Sequence, residues 1–99
     1  MKLDNFNVHL KFSLQRALLG NVTPNVRAVI ANLENKNINL YFYYDGVISD
    51  DDEETASVVE TEVIADFDQD FSINKNLQRI DFPQEITGAD GVLVYLRDE

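Results

Sequence analysis

The chain has 99 residues, 44% of them hydrophobic, with six Phe and four Tyr; that suits one globular domain, too short for two independent cores and too apolar for a disordered segment. No cysteine is present, so disulfide frameworks and thiolate metal sites are excluded. The formal net charge of −10 is unevenly placed, with five Lys/Arg against two acids in residues 1–36, eleven acids and no Lys or Arg in 37–74, and three against five in 75–99; such a chain repels nucleic acid and anionic lipid and attracts cationic proteins.

The opening "MKLDNFNVHLKF" is charged throughout and lacks a long apolar run, so neither a signal peptide nor a membrane span is expected and the expected address is the cytoplasm. This segment fits two periods. Phe6, Val8, Leu10, Phe12 and Leu14 alternate with polar residues as in a strand, whereas Leu3, Phe6, Leu10, Leu14 and Ala17 follow a helical rhythm. "SLQRALLG" favours the helix, over roughly residues 5–19, with Gly20 as its end. Phe12 and Leu19 fall off the main stripe, which leaves this helix open to contact on two sides.

"NVTP" reads as a turn. "VRAVIANLE" and "INLYFYYDG" are rich in β-branched and aromatic residues, and the polar Asn35, Lys36 and Asn37 between them predict a hairpin. In the second strand Ile38, Leu40, Phe42 and Tyr44 share the core face; Asn39, Tyr41, Tyr43 and Asp45 share the other. Asp45-Gly46 breaks the strand, and "ISDDDEE" looks like a helix start, with Ser49 or Asp50 as cap and acids at the positive end of the dipole. Ala56, Val59, Val63 and Phe67 then recur at helical spacing, beside Ile64, over about 50–66. Glu60 falls inside this apolar stripe; it can snorkel at the edge or mark a pocket, but pairing with an arginine such as Arg16 or Arg27 is favoured, because a half-buried carboxylate normally needs a partner. "FSINKNLQRIDF" and "GVLVYLRDE" read as two more strands, separated by the loop-like "PQEITGADG". The predicted order is α-β-β-α-β-β, an α+β two-layer sandwich of two helices on a four-stranded, mainly antiparallel sheet.

Catalytic and metal signatures are weak. Asp66-x-Asp68-x-Asp70 opens like an EF-hand calcium loop, but the sixth and twelfth positions hold Phe71 and Leu77 where Gly and Glu are needed. One histidine, His9, cannot complete a zinc set. There is no nucleophile elbow and no glycine-rich phosphate loop. An enzyme, a cofactor and a metal are therefore not expected. A different class, a small ligand- or metal-binding regulatory module or assembly subunit using Glu60 and the DxDxD carboxylates, is the alternative.

At "LQRALLGNVTPNVRAV", "INLYFYYDG" and "TEVIADF", about residues 12–67, the chain resembles small bacterial immunity proteins of contact-dependent inhibition and polymorphic toxin systems. The resemblance implies a cytoplasmic antitoxin that binds the toxin domain of one cognate effector, many such toxins being nuclease-like with a basic groove. Acidity by itself fits either a surface that keeps the protein soluble or a face for a basic protein, and its one-sided placement favours the second; the chain is expected to be a monomer or weak homodimer. The residues expected there are the acids Asp45, Asp50, Asp51, Asp52, Glu53, Glu54, Glu62, Asp66, Asp68 and Asp70. Tyr41 and Tyr43 are expected as anchors, or, in the blander account, as side chains packed under a loop.

Overall fold

A computed structural model describes the backbone of residues 2–99 and the side chains of residues 7–99. The element order is α1 (Lys2–Leu18), β1 (Val26–Glu34), β2 (Asn37–Tyr44), α2 (Asp50–Ile64), β3 (Ser72–Arg79) and β4 (Val92–Leu96), the α+β arrangement expected. The ambiguous first segment is helical, and starts earlier than the pattern suggested. Leu10, Leu14 and Ala17 are its buried stripe; the expected Leu3 and Phe6 lie outside the described side chains. No described helix is long and apolar enough to cross a membrane.

The sheet order is β3-β2-β1-β4. β1 and β2 form the predicted hairpin through Asn35 and Lys36, whose φ angles of 52° and 65° are the paired positive values that a two-residue turn of the I′ kind requires. β1 also pairs antiparallel with β4. β2 and β3 run parallel, Ile38 beside Ile73 and Phe42 beside Leu77, because α2 carries the chain back across the sheet as a crossover connection. The sheet is thus mixed, with two antiparallel pairings and one parallel.

Both helices pack on one face. There Ala56, Val59 and Val63 of α2 meet Ile38, Leu40 and Phe42 of β2 in the main core; fully burying each large aliphatic side chain contributes roughly 1.5–3 kcal/mol. Phe67, which continued the helical spacing of the second helix's apolar stripe, lies beyond its end at Ile64 and packs on the core edge. The opposite face is partly covered by the 80–91 segment, where Ile80, Ile86 and Ala89 cover Ala28, Ile30 and Tyr43. Arg27, 4% exposed, fastens this cover. Its Nη1 donates to the carbonyls of Ile80 and Gln84 at 2.6 and 2.8 Å, and its Nε and Nη2 grip Glu99 at 2.7 and 3.0 Å. The ring of Phe82 lies 5.7 Å from the guanidinium carbon. The hydrogen bonds from Arg27 hold the Glu99 carboxyl below its ordinary range.

Candidate binding face

Folding divides the acid run by environment. Asp52 is only 2% exposed, because it works inside the protein. Ser49 caps α2, its hydroxyl accepting from the Asp52 backbone N–H at 3.1 Å, while the Asp52 carboxylate accepts from the Ser49 N–H at 2.9 Å. This reciprocal capping box satisfies donors at the helix start. The same carboxylate accepts from the Thr23 hydroxyl and the Asn25 amide, each at 2.7 Å, tying the turn before β1 to α2. Asp52 is therefore corrected from surface contact to buried joint.

Four other acids are engaged at the surface. Asp45 accepts from Arg97 at 3.0 Å and from the Phe82 N–H at 3.2 Å. Asp66 accepts from the Ser13 hydroxyl at 2.6 Å and pairs with Arg16; the Ser13 hydrogen bond, helped by Arg16, holds its carboxyl below the ordinary value. Asp70 pairs with Lys36, which lowers it likewise. Glu60 finds the partner it needed in Lys75, at 3.1 Å, rather than in either arginine. That lysine lies on β3 beside Leu40, a placement set by the parallel pairing.

The DxDxD carboxylates turn to different partners, Asp66 to α1 and Asp70 to the hairpin turn, while Asp68 is exposed. Among the described residues no group of three or more Asp, Glu, His or Cys side chains could hold a metal ion. His9 sits at the helix edge, Nε2 donating to the Asp66 carbonyl at 3.0 Å and the ring 4.6 Å from that of Phe67.

What remains is the outer side of α2. Asp50, Asp51, Glu53, Glu54 and Glu62 are exposed, and none has an ion-pair partner among the described residues. The helix carries no Lys or Arg, and its last turn no basic residue. Four of these acids cluster at the start of the helix and Glu62 lies near its other end, about 18 Å away at 1.5 Å per residue; exposed Asp68 follows past the C-terminus.

The aromatic anchors fare differently. Tyr43 is 2% exposed, under the 80–91 cover, so it cannot reach a partner surface; burial pushes its hydroxyl pKa up. Tyr41 is half-buried on the same face, away from α2, beside Asn32, Gly88 and Asp90. Missed as candidates were Val8 and Phe12, exposed on α1, and Leu19, exposed just past its C-terminal end. The off-stripe positions of Phe12 and Leu19 were the available signal, and Val8 was hidden by the competing strand period.

No curated protein matches the chain. A family model described as MafI2 immunity protein matches residues 7–99, including the last third, to which the earlier resemblance did not extend. The match supports an immunity protein of a bacterial toxin system; it does not place the chain in the contact-dependent inhibition group. Covering nearly the whole length, it shows that this chain belongs to the MafI2 immunity protein family.

Proposed function

We propose that this protein neutralises one cognate, nuclease-like toxin domain in the cytoplasm by seating the outer face of α2 against the toxin's basic substrate groove. The observation that carries this reading is the division of the acids. Asp45, Asp52, Asp66 and Asp70 have partners within the chain, whereas Asp50, Asp51, Glu53, Glu54 and Glu62 are exposed on α2 without an ion-pair partner among the described residues. First-turn acids stabilise a helix on their own account, but Glu62 lies near its C-terminal end, where a negative charge opposes the dipole, so helix stability does not explain it. A nuclease groove is basic because it holds phosphates, and a protein face carrying the same sign of charge as phosphate competes for it. Inhibition is then stoichiometric occupancy, with no bond made or broken by this chain and no cofactor or metal.

Electrostatic complementarity acts chiefly on encounter, raising association toward 10⁸–10⁹ M⁻¹s⁻¹ at low salt. The test is stopped-flow association with the cognate toxin domain, sought first in the product of the neighbouring gene. Glu54→Lys combined with Glu62→Lys is expected to slow association by about tenfold at low ionic strength and to flatten its salt dependence. Association that ignores both the double reversal and salt would refute the reading.

A further inference from the structure

We propose that the outer face of α1 is the apolar anchor of the toxin interface, and that the acids of α2 form its steering rim. The inference rests on toxin binding through α2 and adds where the complex is held. Val8, Phe12 and Leu19 are 52%, 63% and 77% exposed. At 100° per residue Phe12 lies about 40° around the helix from Val8, and Leu19, one residue past the end of α1, continues the same side at about 20°, the three spanning roughly 16 Å with exposed Gln15 between Phe12 and Leu19. The buried Leu10, Leu14 and Ala17 point about 180° the other way. A surface helix needs one apolar face for its own core; α1 has two, and the second is exposed, without a cover among the described residues. The stripe runs on into a groove of about 470 Å³ beside edge strand β4, walled by Leu18, Leu19, Val22, Val94 and Tyr95.

Position and charge identify the occupant. α1 and α2 lie in one helical layer and are joined where Ser13 and Arg16 hold Asp66, so a body seated on α2 also reaches α1. Residues 5–33 contain no acid, and Lys11 is exposed beside the stripe. The matching toxin surface therefore presents basic groups over α2 and, next to them, apolar side chains bordered by hydrogen-bond acceptors over α1. A second copy fits poorly: an antiparallel α1 pair that sets Val8 against Leu19 also sets Lys11 against Arg16, and it brings together two chains of net charge −10. Desolvated aromatic and aliphatic anchors determine how long a complex lasts, whereas rim charges mainly determine how fast it forms.

Stopped-flow kinetics with the same toxin domain separate the two roles. Phe12→Ser and Leu19→Ser are each expected to speed dissociation on the order of tenfold or more while leaving association within about twofold. Both positions are exposed, so unchanged thermal melts verify that the variants fold. If both variants dissociate at the wild-type rate while the α2 reversals still slow association, α1 is not the anchor and binding through α2 stands. If neither set of variants alters the kinetics, or no complex forms, both ideas fall. A dimer in sedimentation that Phe12→Ser converts to monomer assigns the stripe to a second copy and overturns the proposal.

Discussion

Replacing Asp52 with alanine removes the joint between the first turn and the second helix. The carboxylate accepts three hydrogen bonds, from the Thr23 hydroxyl, the Asn25 amide and the Ser49 N–H. A hydrogen bond to a charged group contributes roughly 1.5–3 kcal/mol, but three bonds to one group are not additive, and water entering the vacated space recovers part of the loss. The expected cost is about 3 kcal/mol, or roughly 12–24 °C in Tm for a domain of this size. The pH dependence has a definite sign. Burial pushes the Asp52 carboxyl up, yet the hydrogen bonds from Asn25, Ser49 and Thr23 together outweigh it, so its pKa lies below the ordinary 3.8. A carboxyl with a depressed folded-state pKa stabilises the fold fully above its ordinary value, and that contribution is lost as pH falls through the folded value. The difference between wild type and Asp52→Ala should therefore be constant near neutrality and shrink below about pH 4. Thermal unfolding followed by circular dichroism at neutral and acid pH measures both effects, with exposed Asp51→Ala as the control. A loss below about 0.5 kcal/mol, the usual range for surface substitutions, or one equal to the control, would refute the joint.

Two further predictions concern the sheet's surroundings. Arg27→Met leaves the carbonyls of Ile80 and Gln84 without the Arg27 donor and Glu99 with Arg97 alone; the expected cost is about 2–3 kcal/mol, with faster amide exchange across residues 80–91. Exchange there as slow as in the wild type would show that Arg27 does not fasten the cover. Gly91→Ala places a Cβ 2.3 Å from the Ala31 carbonyl oxygen at a φ of +145° and should cost more than about 2 kcal/mol, whereas Gly20→Ala, at φ +77° with nothing within 4 Å, should cost about 1 kcal/mol. Equal losses in urea unfolding would mean that crowding against β1 is not what selects Gly91.

The acidic face proposed for binding was legible in outline as a charged region, because charge is additive along a sequence. Eleven acids without a Lys or Arg between 37 and 74 must give a negative region however the chain folds, and α2 provides it. Which acids are available was not legible. Asp51 and Asp52 are adjacent and chemically identical, yet one faces solvent while the other receives Thr23 and Asn25, residues distant in sequence. Tyr43 shows the same gap. Strand alternation assigned it correctly to the face opposite the helices, and packing under a loop was the blander of its two expected roles; what nothing local identified is that Ile80 and the following segment supply that cover and remove it from reach.

What the sequence by itself determined is whatever rests on near-neighbour periodicity and capping. The alternation in β2 set Ile38, Leu40, Phe42 and Tyr44 on one face, the 3.6-residue rhythm set Ala56, Val59 and Val63 together, and Ser49 marked the start of α2. The tertiary structure alone decided the pairings that join distant segments: the parallel docking of β3 on β2, Lys75 rather than an arginine for Glu60, Arg27 for Glu99, and the opening of Phe12 and Leu19 to solvent. Periodicity reports which face of an element is apolar, because that depends only on the element's own repeat. The neighbour covering that face is set by the packing of the whole chain.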